Sequence, residues 1–208
     1  MWYITSTPWW LRAIFPGGLV WRQKPAEGTV YLTFDDGPHP EITPWVCNLL
    51  EAAGHKATFF CIGQNVLRYP QIFERVKAGG HMVGNHTHHH MHGWKVSPQE
   101  YLQNVELANS SIGSPLFRPP YGAIKQRQAK LLKRRGYSII MWSGISADFD
   151  VKITGTQAAE NSIKHCKPGN ILVFHDSEKA YPRLKIALPE LLRYMAANGI
   201  TSQSLDGR

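Results

Sequence analysis

The residues of this chain best suited to chemistry are the adjacent acids in Thr33-Phe34-Asp35-Asp36-Gly37-Pro38 and the run Asn85-His86-Thr87-His88-His89-His90. Two histidines four apart lie on one face of a helical turn. An upstream carboxylate can complete with them a three-ligand metal site whose remaining positions stay open to water and substrate, as a catalytic rather than a structural ion requires. Adjacent acids at the end of an extended strand point in different directions, so one can bind metal while the other faces substrate. Adjacent acids also occur on solvated turns, and consecutive histidines as solvent-facing tracts. The apolar strand before Asp35 and the spacing of His86 and His90 favour the functional reading of both features. His88, His89 and His92 cannot share that direction and are assigned to the rim of the site.

From residue 28 onward, short β-branched or aromatic runs alternate with helical patterns, the signature of βα units around a mostly parallel sheet. Strands are expected at Thr29–Phe34, Ala57–Cys61, Met82–Gly84, Leu116–Arg118, Ser138–Trp142, Ile171–Phe174 and Ile200–Ser202. Helices are expected from an N-cap at Thr43 with Pro44 at the first position, over Pro70–Lys77, after the Ser97-Pro98-Gln99-Glu100 capping box, over the basic stretch 125–135, and from Pro182 to Ala197. About seven units follow, enough for a barrel short of the usual eight. Asp35 and Asp36, His86 and His90, Arg118 and Tyr121, Asp148, and His175 all fall just after expected strands, where parallel αβ folds gather their active sites.

The 208 residues, 43% of them hydrophobic, suit one domain with an ordinary core. Residues 1–27 are set apart as an apolar, Trp-rich segment and 28–208 as the domain. The charge of +8 favours anionic neighbours without choosing among them. No Asp or Glu occurs between Glu106 and Asp148, while Arg118, Lys125, Arg127, Lys130, Lys133, Arg134 and Arg135 fall inside; a solvated helix face explains the cluster from 125 to 135 better than a polyanion site does. Nucleic acid is not an expected partner. Cys47, Cys61 and Cys166 are odd in number and lack C-x-x-C spacing, so they read as core thiols rather than a disulfide framework or zinc ribbon. No apolar run is long enough to span a bilayer, and Arg12, Pro16 and Gly17-Gly18 interrupt the N-terminal one without a cleavage site. Trp2, Trp9, Trp10 and Trp21 are expected to dock on the domain, weak contact with a membrane surface being the second reading.

Four motifs together resemble those of the polysaccharide deacetylase family, the NodB-homology domain of carbohydrate esterase family four. They are Thr33-Phe34-Asp35-Asp36-Gly37-Pro38, His86-Thr87-x-x-His90, Arg118-Pro119-Pro120-Tyr121-Gly122 and Val173-Phe174-His175-Asp176, in family order across about residues 28–203. The resemblance implies a distorted (β/α) barrel of about seven parallel strands and removal of N-acetyl groups from N-acetylhexosamine polymers of chitin or peptidoglycan type. It implies that Asp36, His86 and His90 hold a divalent metal, usually zinc, with cobalt or nickel as alternatives. It makes Asp35 the general base, Arg118 its orienting partner, the Tyr121 main-chain N–H part of the oxyanion hole, and His175 the general acid oriented by Asp148. Substrate of that kind is met outside the cytoplasm, whereas the sequence taken alone suggests a cytoplasmic or peripheral protein.

Those roles suit amide hydrolysis. A metal ion can bring the pKa of water near 7, a carboxylate can accept the remaining proton, aimed donors can stabilise the oxyanion, and an acid must protonate the departing amine. Pro119 and Pro120 make the turn rigid, and with Phe149 and Val173 they are candidate substrate-binding residues. The family pattern is not matched throughout: in Gly144-Ile145-Ser146-Ala147-Asp148-Phe149-Asp150, Ile145 stands where an acid is usual and Phe149 where Trp is usual. Phe149 keeps an apolar wall without an indole donor, Val173 replaces a frequent Leu, and Asp150 could share the role of Asp148 if the segment is extended. These departures bear on substrate, so hydrolysis of another non-peptide C–N bond stands as an alternative, and a non-catalytic basic polyanion binder as a third.

Overall fold

The computed structural model describes residues 15–24 and 28–206. Strands β1 (Thr29–Asp35), β2 (Ala57–Cys61), β3 (Met82–Asn85), β4 (Leu116–Phe117), β5 (Ser138–Ile139), β6 (Gly144–Ile145) and β7 (Ile171–His175) lie in the order β5-β4-β3-β2-β1-β7-β6. The pairings along this path are all parallel. A short β8 (Thr201–Ser202) pairs with the start of β1. Helices α1 (Ile42–Ala52), α2 (Gly63–Arg68), α3 (Pro70–Ala78), α4 (Pro98–Ile112), α5 (Gln126–Arg134), α6 (Gly155–His165) and α7 (Tyr181–Ala197) alternate with them. This is the expected distorted (β/α) barrel, an incomplete one.

Strand β1 lies between β2 and β7, and Val30, Leu32 and Phe34 are fully buried, which is why a parallel strand covered on both faces reads as an almost continuous apolar run. Phe34 stacks on Phe59 of β2 and Phe174 of β7 with ring centroids 5.1 and 5.7 Å apart, fixing the middle of the sheet. Val20 bridges Ile140, just past β5, and Arg22 bridges Asn170, just before β7, so the N-terminal segment contacts the sheet at two separate places. Phe15 and Trp21 pack edge to face, 5.2 Å apart, on the same cluster as Leu132 of α5. Docking on the domain therefore holds for Trp21; Trp2, Trp9 and Trp10 lie outside the described residues. Cys47, Cys61 and Cys166 are free and buried. Among the described residues no helix is long and apolar enough to cross a membrane.

Three local expectations are corrected. The strand foreseen over Ser138–Trp142 stops at Ile139, because the carbonyls of Ile140 and Met141 accept hydrogen bonds from the Arg118 guanidinium and the N–H of Met141 donates to Val20. Helix α1 begins at Ile42 with Glu41 as its cap, since the Thr43 hydroxyl is committed to the Asp176 carboxylate. Helices α2 and α6 and the short strand β6 were not foreseen. By contrast, Ser97 caps α4 as expected, its Oγ accepting from the Glu100 N–H at 3.2 Å.

Candidate metal centre and active site

The site stands at the C-terminal ends of β1, β3, β4 and β7. Asp35 closes β1 in register with Phe60 on one side and His175 on the other, and the backbone then turns over at Asp36, whose φ is 83°. That left-handed residue sends the two adjacent carboxylates apart. Few non-glycine residues sit there, and the loop is gripped accordingly. The Gly37 N–H donates to Asp176 Oδ1 at 3.0 Å, the Gly37 carbonyl accepts from the Ile62 N–H at 2.9 Å, and Asn65 Nδ2 donates to the Asp36 carbonyl at 2.8 Å. A Cβ on Gly37 would fall 2.1 Å from the Asp176 carboxylate, so only glycine permits this grip.

His86 and His90 do converge, but not on a helical turn. Residues 86–92 form an irregular loop in which Thr87 and His90 have φ of 64° and 51°. The polar side chains that hold this loop account for its shape. Asn85 Oδ1 accepts from the Thr87 N–H, Thr87 Oγ1 from the Met91 N–H, and Asn104 Oδ1 from both His88 and His89 N–H groups, all within 3.1 Å. The His86 Nδ1–H donates to the Arg118 carbonyl at 2.8 Å, so Nε2 is left with its lone pair facing Asp36.

Asp36 Oδ1 is buried without a hydrogen-bond partner, 3.2 Å from His90 Nε2 and 3.8 Å from His86 Nε2. The ligand atoms of Asp36, His86 and His90 lie within 4.8 Å of one another. Three Lewis donors aimed at one point, one of them an orphaned buried oxygen, suit a divalent cation with open positions. Protonation favours the same state. Burial pushes His86 down to about 4, so its imidazole is neutral at neutral pH. For Asp36, burial favours the neutral acid, but the contact with His90 and the charges of His175, His86 and His90 outweigh it and hold the carboxyl well below its usual range. His88, His89 and His92 are outside the three-donor group.

Arg118 is fully buried, which removes the surface ion pair as an account of it. Its Nη1 donates to Asp35 Oδ1 and Thr33 Oγ1, each at 2.7 Å, Nη2 donates to the Met141 carbonyl, and the guanidinium lies 4.1 Å from the Phe60 ring centroid. Burial pulls its pKa down and Asp35 opposes that. Facing this pair, Asp148 is fully buried and accepts twice from His175, at 2.8 Å from Nδ1–H and 2.9 Å from the main-chain N–H. Burial alone would depress His175; the Asp148 charge and hydrogen bond, with Asp36 and Asp35 behind them, raise it to about 9.

Phe149 meets the His175 ring edge to face at 5.3 Å, while Val173 is buried in register between Thr33 and Ile145. Pro119 and Pro120 are buried, leading into Tyr121 at φ 60°. The Tyr121 ring is 66% exposed and so does not pack into the turn; its hydroxyl lies 3.1 Å from His90 Nδ1. Asp150 does not face the same side as Asp148 along an extended segment. The backbone turns at Ala147, the Asp150 N–H donates to the Ala147 carbonyl, and the Asp150 carboxylate accepts from the Lys152 N–H. Asp176, Asn65, Asn85 and Asn104, which shape the two ligand-bearing loops, carried no sequence signal apart from the place of Asp176 beside His175.

A family profile described as polysaccharide deacetylase matches residues 22–140. The chain belongs to that family. It is 33% identical over 201 residues to a peptidoglycan-N-acetylglucosamine deacetylase of Bacillus cereus, covering 86% of this chain and 94% of that protein. A second Bacillus cereus protein of the same name is 35% identical over 154 residues, and there the match covers 71% of this chain but 56% of the relative. A chitooligosaccharide deacetylase of Azorhizobium caulinodans is 31% identical over 157 residues, 72% of this chain and 74% of that one. Among solved structures, a peptidoglycan N-acetylglucosamine deacetylase in complex with an N-oxidanyl-benzamide superposes with a TM-score of 0.81 at 29% identity, covering 90% of this chain and 91% of that one. A Bacillus anthracis pseudoenzyme of carbohydrate esterase family four also superposes, with a TM-score of 0.78 at 20% identity over 94% of this chain and 69% of that one. At that identity the likeness shows the fold alone, so activity must be argued from the residues themselves.

Proposed function

We propose that this polysaccharide deacetylase hydrolyses N-acetyl groups on N-acetylglucosamine-containing glycans. The observation that carries the reading is the convergence of Asp36, His86 and His90, flanked by an acid held by arginine and a histidine held by aspartate. Asp36 Oδ1 and the Nε2 atoms of His86 and His90 would hold a divalent cation, zinc being the expected ion. When bound, it supplies Lewis-acid polarisation of the acyl carbonyl and acidifies water.

The chain's own residues do the rest. Asp35, pinned by Arg118 Nη1, accepts the proton of the attacking water. The main-chain N–H of Tyr121, presented by the rigid proline turn, donates to the developing oxyanion. His175, protonated at neutral pH because Asp148 stabilises the imidazolium, gives its proton from Nε2 to the leaving nitrogen. Phe149, Val173, Pro119 and Pro120 form the apolar surroundings of the acyl group. The basic residues of α5, Arg127, Lys130, Lys133 and Arg134, are exposed, as a solvated face would be.

The test is acetate release from chitooligosaccharides and peptidoglycan fragments after loading with zinc, cobalt or nickel. Chelation should abolish turnover, and added metal should restore it. A metal-replete enzyme that frees no acetate from any glycan refutes the reading; release of amine from small cyclic amides or formamides instead would point to the buried, apolar Ile145 as a sign of a different C–N substrate.

A further inference from the structure

From the ligand His90 a run of rings leads away from the metal centre, and beyond His90 the chemistry above uses none of these side chains. The His90 and Tyr121 rings are 4.6 Å apart, Tyr121 stacks on His92 at 5.0 Å and an interplanar angle of 25°, and His92 meets Trp94 at 5.7 Å. Two of these rings face solvent, Trp94 at 57% and Tyr121 at 66% exposure. Large exposed aromatics grouped at the mouth of a site are the kind of surface that marks recognition.

The ledge is also built to stay in place. The Trp94 indole N–H donates to the Ile124 carbonyl at 3.3 Å, Gln128 Nε2 to the Gly93 carbonyl at 2.7 Å, and Lys125 Nζ to the Val96 carbonyl at 2.8 Å. Gly93 lets the two loops close up, since a Cβ there would fall 2.2 Å from the Ala123 carbonyl oxygen. Ordering an exposed indole in this way loses rotamer freedom in the free protein and lowers the cost of binding later. Folding alone gives no reason for that: Trp94 is absent from the buried core.

We infer that Trp94, which meets His92 edge to face while His92 stacks on Tyr121, is a binding platform for a neighbouring pyranose ring of the glycan next to the one whose acetyl group is removed. The inference rests on the glycan substrate proposed above. A sugar ring offers a flat C–H face and a polar edge, and an indole presents a matching apolar face while its N–H is already satisfied. Continuity fixes the occupant: the ledge begins at His90, a residue of the three-donor group, so a polymer seated with one unit at that group lies along it. A small substrate confined to the acyl pocket would not reach it.

The experiment compares wild type with Trp94→Ala and Trp94→Phe on a hexamer of N-acetylglucosamine and on 4-nitrophenyl acetate, with metal content and thermal unfolding as controls for folding. For Trp94→Ala, KM on the hexamer should rise about tenfold, the scale of one aromatic anchor at an interface. Its kcat and its hydrolysis of 4-nitrophenyl acetate should stay at wild-type levels, and Trp94→Phe should recover most of the loss. Equal losses on both substrates, or no loss on either, would overturn the inference, as would a change in oligomeric state that accounts for the effect. Calorimetric titration with the hexamer separates the two claims. If wild type binds the hexamer through Trp94 yet frees no acetate, the deacetylase reading fails and the platform stands; if wild type frees acetate and Trp94→Ala binds as well as wild type, the platform fails alone. A wild type that does neither refutes both.

Discussion

Replacing Asp148 by Asn removes the charge that keeps His175 protonated while preserving side-chain volume. His175 stands at about 9 against an ordinary 6.5, although its burial pulls the other way. The two contributions of Asp148, its charge and its hydrogen bond to Nδ1–H, are the largest that oppose burial. Without them His175 should fall to its ordinary value or lower, a drop of two units or more, or about 3 kcal/mol of preference for the imidazolium. A general acid works only while it carries its proton. The basic limb of kcat/KM should therefore move towards acid, so that at pH 8 the variant runs about thirtyfold slower than wild type, while at pH 6 the two nearly agree. A bound cation lowers His175 in both proteins, so the displacement between profiles is the quantity to read. Stability should follow the same sign. A folded-state pKa raised above the unfolded value contributes stability that is fully present below about 6.5 and is lost as pH rises through about 9. Asp148→Asn should therefore lower the denaturation midpoint at pH 6 more than at pH 9.5. The assay is acetate release against pH with metal content held equal. A variant whose rate falls by the same factor at every pH would refute the assignment of His175 as the acid that Asp148 charges.

Asp35→Asn should lose turnover and keep its metal, whereas His90→Ala should lose both; equal metal loss, measured by elemental analysis, would show that the roles of the two acids are exchanged. Arg118→Ala leaves Asp35, Thr33 and two main-chain carbonyls without their buried partner, and urea unfolding should register about 3–5 kcal/mol of lost stability. A cost near that of a surface ion pair would contradict its burial. Gly37→Ala drives a methyl group into the Asp176 carboxylate and should displace the loop that presents Asp36. Metal affinity, followed by competition with a chelating dye, should fall about 10–100-fold, as when an outer partner of a metal ligand is removed; unchanged affinity would show that the Asp176 grip does not position the ligand.

Much of the fold is local enough to be legible along the chain. Ala57–Cys61 is a strand from its composition alone, and Ser97 with Pro98 fixes the start of α4 to the residue. Where a neighbour far along the chain decides, the reading fails: the end of β5 depends on Arg118 taking the carbonyls of Ile140 and Met141, and the start of α1 on Asp176 claiming the Thr43 hydroxyl. Neither competitor has a signature in the segment it alters.

The candidate site divides in the same way. Residue types and spacing by themselves determined which side chains could hold a cation and which acid, base and arginine could stand beside it, because donor chemistry belongs to the residue and the βα alternation sends all of them to one end of the sheet. Only the tertiary structure decided how they meet. His86 and His90 converge through two left-handed residues rather than a helical turn, and Asp36 leaves the line of Asp35 because Asp176, Ile62 and Asn65 hold its loop turned over. Tyr121, foreseen for its main-chain N–H, turns its ring outward to stack on His92. Left-handed backbone at ordinary residues is unfavourable locally and persists only under contacts from elsewhere. A linear pattern does not display those contacts.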